Sequence, residues 1–190
     1  MLEPLLARRV QLLAMAVDGV LTGWPVFAGG LGGHLGELRP MDARDGLGVQ
    51  LLRAAGVRVV AVTGRAGEGA HLDAAGVFPD DLIEEPQGRK LVALEAALHQ
   101  LSIRFDDMAY VGAELADLPI LRRAGFPIAV AGAPPEVTAA ARLVTTTSGG
   151  QGVLRELAEV LLRARGQWDT ALQAFLSDHG DRAARVSRAR

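Results

Sequence analysis

Val10-Gln-Leu-Leu-Ala-Met-Ala-Val17, running directly into Asp18-Gly-Val-Leu-Thr22, decides the fold. The first eight residues form a short apolar run that ends on a turn signal, the mark of a buried strand. Arg8 and Arg9 precede the run, and Ala14-Met-Ala16 mimics a signal-peptidase site. The run is at the short limit of a signal-peptide core, so a buried strand explains it better. A strand that is apolar throughout has both faces covered, as in the parallel sheet of an α/β domain.

The rhythm continues outward from that strand. Strands are expected at 57–62, 82–83, 108–111, 128–130 and 143–144. Helices are expected at 45–55, 67–75, 89–101, 114–124 and 135–141, several ending on a glycine. A long C-terminal helix over 152–175 is expected to break at Gly166. Strands alternating with helices predict an α/β, Rossmann-like, doubly wound parallel sheet. One segment departs from this. Residues 24–41 hold Ala28-Gly-Gly-Leu-Gly-Gly33 between two extended stretches, which reads as an inserted β-hairpin. Trp24, Val26, Phe27, Leu31 and Leu35 flank its turn as an apolar patch. We expect one domain over 1–176, with no separate cap domain, and a frayed arginine-rich tail over 177–190.

Composition narrows the function. The 190 residues carry a net charge of −2 and 49% hydrophobic residues, which fits a globular chain and gives no electrostatic case for nucleic-acid or membrane partners. No stretch approaches the length of a membrane span, so a cytoplasmic location is expected. With no cysteine, thiol catalysis, disulfides and zinc–thiolate sites are excluded. His34, His71, His99 and His179 lack close metal-ligand spacing and read as surface residues. Of the 20 basic residues one is lysine, Lys90.

In a doubly wound sheet the ligand sits beyond the C-terminal ends of the strands. The residues there are Asp18 to Thr22, Thr63-Gly64-Arg65 and Gly112-Ala113-Glu114-Leu115-Ala116-Asp117, joined by Gln87-Gly-Arg-Lys90 before a helix. A hydroxyl, a lysine and helix-start amides converging on one rim suit a phosphate group. Each segment alone is equally an ordinary cap or turn.

These segments resemble the haloacid dehalogenase superfamily of phosphatases, and within it the small capless 3-deoxy-D-manno-octulosonate 8-phosphate phosphatases. The resemblance spans about residues 10 to 170. It rests on Val17-Asp-Gly-Val-Leu-Thr22, Ala43-Arg-Asp-Gly-Leu-Gly48, Val62-Thr-Gly-Arg65, Gln87-Gly-Arg-Lys-Leu91, Tyr110-Val-Gly112 with Asp117-Leu-Pro119, Ile128-Ala-Val-Ala131 and Gly149-Gly-Gln-Gly-Val-Leu-Arg-Glu156.

The resemblance implies a fixed chemical plan. An aspartate ending the first strand attacks phosphorus, and a second, two residues on, is acid and base. A Ser or Thr and a lysine hold the phosphoryl group. Magnesium sits on the nucleophile, on the second aspartate's carbonyl and on a carboxylate after a later strand. Asp18 takes the acid/base position, Thr63 with Gly64 the hydroxyl position, and Lys90 the lysine position. Arg65 and Arg44 resemble residues at the substrate mouth, or are simply solvated. The nucleophile position is Ala16, the magnesium carboxylate position is Ala113, and an acidic position after Thr22 is Gly23. A methyl group neither attacks phosphorus nor ligates a hard cation, so a degenerate site with no cofactor is expected.

That site would bind phosphate or a sugar phosphate, or serve as an oligomeric regulatory or assembly module. The resemblance implies a homotetramer built through the hairpin. The alternative is an active Mg2+-dependent sugar-phosphate phosphatase, with the Asp18 carbonyl and Glu114 in a rebuilt metal site. Lys90 is expected either to face an anion or to pair with Asp18, because a buried lysine without a partner is costly. Asp45 is expected to cap the helix that follows it.

Overall fold

A computed structural model describes residues 4–24, 27–29 and 36–180. Its centre is strand β1 (Leu12–Ala16), every residue of which is buried. Around it run β4 (Arg58–Thr63), β5 (Asp81–Glu84), β6 (Met108–Gly112), β7 (Phe126–Ala131) and β8 (Leu143–Ser148). They form one parallel sheet in the order β5-β4-β1-β6-β7-β8. β1 pairs with β4 on one side and β6 on the other, so the strand order reverses beside it. Its C-terminal end is therefore the topological switch point of the sheet.

Alternation along β1 divides the core. Leu13 and Met15 face a cluster that includes Ala7 of α1 (Pro4–Arg9), Val49 and Leu52 of α2 (Arg44–Ala54), Leu72 of α3 (Gly69–Ala74), Leu157 of α7 (Val153–Arg165) and Ala171 of α8 (Trp168–Asp178). Leu12 and Ala14 face the opposite cluster, with Leu94 of α4 (Lys90–Leu101), Ile120 of α5 (Leu118–Leu121) and Val137 of α6 (Pro135–Ala140). Burial on both faces explains why the strand shows no polar alternation.

The expected hairpin is present as the antiparallel pair β2 (Phe27–Gly29) and β3 (Gly36–Leu38). Its turn, with Leu31, His34 and Leu35, lies outside the described residues, as does Val26. Among the described residues this ribbon is the one sheet apart from the main one, and no separate cap domain appears. The C-terminal helix breaks where expected. Gly166 adopts φ +70° and ends α7, and α8 follows, with Arg155 and Arg163 lying over the Trp168 ring. The expected tail, beyond residue 180, lies outside the described residues. No helix among the described residues is long and apolar enough to cross a membrane.

Two expectations need correction. The helix expected over 114–124 is a 3-10 turn at Leu115–Asp117 followed by the short α5. The Asp117 carboxylate folds back onto the Ala113 and Glu114 N–H groups, which tightens the turn and ends it early. Asp45 does not cap its own helix. It lies inside the first turn of α2, is 1% exposed, and accepts hydrogen bonds from the Leu154 and Arg155 N–H groups at the start of α7. Gly152 precedes α7 and has no side chain to offer as a cap. Asp45 supplies one from a neighbouring helix.

Candidate functional site

The sheet register brings the strand ends to one rim. Ala16 lies beside Val62, and Met15 beside Val111, so Thr63 ends β4 at this edge and Asp18 and Ala113 fall just beyond it. After Ala16 the chain turns sharply, with Gly19 at φ +77° and the Thr22 hydroxyl donating to the Val17 carbonyl. This turn aims Asp18 across to the end of β4.

Asp18 is the centre of an ion-pair cluster. Its Oδ1 lies 3.1 Å from the Arg39 guanidinium and 3.0 Å from Nε of Arg65. The hydroxyl of buried Thr63 donates to Oδ2 at 3.5 Å and accepts the Arg65 N–H at 3.1 Å. Arg39 also pairs with the buried carboxylate of Glu68, to which His71 approaches. The Arg39 side chain is 6% exposed and comes from the segment just after β3. It was not legible as a site residue, because its partners lie 21 and 29 positions away and share no motif with it.

Lys90 opens α4 and meets a different carboxylate. Its ammonium lies 3.2 Å from Asp117 Oδ1 and does not pair with Asp18. The Tyr110 hydroxyl donates to the same oxygen at 2.9 Å, and the Ala113 and Glu114 N–H groups donate to Oδ2. Four donors therefore serve Asp117, which is 1% exposed. Burial, and then the Asp117 charge, push the Tyr110 phenol well above its ordinary pKa, so it stays a hydroxyl donor. Asp117 stands in the quoted Asp-Leu-Pro segment, but nothing there signals that it receives the lysine. The lysine's side chain runs past Gly64, where an added methyl group would sit 4.0 Å from Cε.

Asp18, Thr63, Gly64, Arg65 and Lys90 thus come together on one rim. Arg44 does not join them. It is exposed and forms a fork with Asp42, with a further bond to the Gln151 carbonyl. That pair holds the Asp42 carboxyl below its usual pKa. Of the four histidines, His71, His99 and His179 are exposed as expected.

Between the two polar groups lies an apolar floor. Ala16 and Ala113 are 0% and 1% exposed and belong to the same buried cluster as Val17, Val20 and Leu21. A methyl group added at Gly19 would fall 2.5 Å from Trp24 Cζ2 and 2.8 Å from the Ala113 methyl. The Trp24 indole therefore lies directly on Gly19, beside Ala113. A divalent cation held in the implied way would need carboxylates at 16 and 113. The side chains present offer no oxygen there. Glu114 turns away, its carboxylate accepting the Leu115 N–H at 2.7 Å as a cap. No group of three His, Asp or Glu residues among those described could hold a metal. This floor does not fit a hard cation.

The closing glycine-rich motif is packing, not chemistry. An added methyl at Gly149 would meet the Gly19 carbonyl at 2.1 Å, and one at Gly150 would meet the Gly23 nitrogen at 2.4 Å. Backbone therefore lies on backbone, with the Gly150 N–H donating to the Val20 carbonyl. Glu156 closes the motif by accepting the Thr146 and Thr147 N–H groups. Burial raises its pKa, but these bonds outweigh that and hold it below the usual range.

Comparison with known proteins agrees with this architecture. Residues 81–157 match the haloacid dehalogenase-like hydrolase family. The 3-deoxy-D-manno-octulosonate 8-phosphate phosphatase of Escherichia coli K12 is 33% identical over 165 residues, covering 87% of this chain and 86% of that protein. The same phosphatase from Moraxella catarrhalis, solved with a magnesium ion, a phosphate ion and a KDO molecule, is 31% identical. It covers 90% of this chain and 97% of its own, with a TM-score of 0.81. The cobalt-bound deoxy-D-mannose-octulosonate 8-phosphate phosphatase of Haemophilus influenzae is 28% identical, covering 85% and 92%, with a TM-score of 0.74.

Proposed function

Given that this chain belongs to the haloacid dehalogenase-like hydrolases, we propose that it is a degenerate member that binds a phosphate or sugar phosphate without hydrolysing it efficiently and without a divalent metal. One observation carries this reading. The positions at which the resemblance puts the nucleophile and the metal carboxylate are Ala16 and Ala113, and both methyl groups sit in the buried apolar cluster. Asp18 lies two residues beyond Ala16. The chain turns after Ala16, and the Asp18 carboxylate is held at the end of β4 by Arg39, Arg65 and Thr63, so it does not stand at position 16 for in-line attack.

Electrostatics support binding in the absence of catalysis. Two missing carboxylates remove two negative charges, and a missing divalent cation removes two positive ones. The field on a phosphate is then little altered, while Thr63, Arg65 and Lys90 still line the rim. Their carboxylate partners Asp18 and Asp117 stand where an incoming anion competes for the same cations. The reading extends to a homotetramer assembled through the hairpin, supported by the β2–β3 ribbon lying outside the main sheet. Stable monomers in sedimentation would count against that extension.

Turnover of para-nitrophenyl phosphate, with and without magnesium, tests the central claim. No turnover above background is expected in either condition. Robust metal-dependent turnover would instead establish a phosphoric monoester hydrolase with a rebuilt site. Calorimetry with inorganic phosphate in EDTA supplies the other arm, where binding is expected in the wild type and lost in Lys90→Ala.

A further inference from the structure

The anion-binding reading uses the cations of the rim and leaves the floor unassigned. That floor has a definite shape. Gly19 has no side chain and takes φ +77°, so the Trp24 indole rests on bare backbone with the Ala113 methyl beside it. Trp24 is nonetheless 52% exposed. A ring that merely filled a hole would be covered. This one keeps about half its surface in water, one turn away from Asp18 and its two arginines.

We infer that Trp24 is a ligand-contact residue, a stacking platform for the apolar face of a phosphorylated cyclic sugar whose phosphate meets Thr63, Arg65 and Lys90. The inference rests on the anion-binding reading and adds the residue that contacts the ring bearing the anion. A pyranose ring presents a face of C–H groups edged by hydroxyls, which suits an indole with an apolar face and one N–H donor. Small-molecule sites combine such aromatic surfaces with a few fixed polar groups, and the rim supplies those. The methyl groups and the indole replace a cation-binding wall with an apolar one. The sugar ring therefore takes its binding energy from area removed from water, with no call on a metal. An acyclic phosphate of equal charge offers no comparable face.

Calorimetry in EDTA with three probes tests this: inorganic phosphate, glycerol 3-phosphate, and the pyranose phosphates of glucose and mannose. In the wild type at least one pyranose phosphate is expected to bind about tenfold tighter than glycerol 3-phosphate. Trp24→Ala should shrink that ratio to about twofold or less and leave inorganic phosphate binding unchanged. Trp24→Phe, which keeps an aromatic face, should retain most of the ratio and shows that the site is still folded. Equal affinities in the wild type, a ratio that survives Trp24→Ala, or a preference that emerges only with added magnesium each overturn the inference. If inorganic phosphate binds but the sugar preference is missing, only the stacking role fails. If none of the probes binds, the anion-binding reading falls with it.

Discussion

The two halves of the strand-end rim are built on opposite principles. At the Lys90 corner a buried carboxylate, Asp117, is served by an ammonium, a phenol and two backbone N–H groups. On the floor beside it, Ala16 and Ala113 present buried methyl groups, with the Trp24 indole beside Ala113. The difference teaches which polar residues a fold keeps for its own sake. Asp117 shapes the turn after β6 and neutralises the lysine, so it has a structural role whether or not any chemistry occurs. A carboxylate at position 16 or 113 would have no such partners in this chain. With no cation to meet, it would be a desolvated charge in an apolar cluster, and alanine is the less costly residue there.

The largest expected effect breaks the polar corner. Asp117→Ala strips Lys90 and Tyr110 of their acceptor and loosens the Ala113–Glu114 turn. The loss is expected to be about 3–5 kcal/mol, the usual result of removing one partner from a buried ion pair. Asp117→Asn keeps an acceptor for the backbone and should recover part of it. Urea unfolding of the three proteins measures the order. Similar stabilities for wild type and Asp117→Ala would mean that the corner is not structural.

The next effect runs the opposite way, by putting charge into the floor. Ala16→Asp alone should cost about 2–4 kcal/mol at neutral pH and less in acid, where the new carboxyl can protonate. Adding Ala113→Asp should not relieve this while the Trp24 indole lies beside position 113. With Trp24→Gly as well, magnesium is expected to raise the melting temperature of the triple variant and to leave the wild type unmoved. Only the triple variant should then gain phosphatase turnover. Magnesium stabilising the wild type to the same degree would show that the floor accepts a cation as it stands.

What the sequence disclosed follows the same division. The sheet, the hairpin and the break at Gly166 were legible because apolar runs and glycines are local signals that recur at fixed spacing. Thr63, Lys90 and Asp18 were legible because short motifs hold them. Their pairings were not. Arg39 reaches Asp18 and Glu68 from the end of the hairpin, and Asp117 takes the lysine expected to meet an anion or Asp18. Trp24 read as part of an exposed hairpin patch, since nothing in its neighbours says that it lies on Gly19. Pairings across tens of residues leave no period to read, whereas the helix expected over 114–124 was lost to a local contact, the Asp117 carboxylate folding back onto the Ala113 and Glu114 N–H groups.

A second buried aspartate offers a contrast to the Lys90 corner. Asp45, like Asp117, accepts two backbone N–H groups at a helix start, but among the described residues it forms no ion pair, and one carboxylate oxygen, Oδ2, has no hydrogen-bond partner. Burial raises its pKa to about 6, against the lowering effect of those two bonds. A raised carboxyl pKa means that the folded state binds the proton more tightly than the unfolded chain does. Its contribution to stability is therefore fully present below about pH 4 and is lost as the pH rises through about 6. A difference of roughly two pH units corresponds to about 2–3 kcal/mol across that window. Asp45→Asn keeps the acceptor for Leu154 and Arg155 and removes the charge. Its stability should be flatter between pH 4 and pH 8, slightly below the wild type in acid and above it at pH 8. Urea midpoints at both pH values check the sign. Parallel pH curves would mean that Asp45 titrates alike in the folded and unfolded chain, so that burial without a cation costs a carboxylate little and the lysine beside Asp117 matters less than its position suggests.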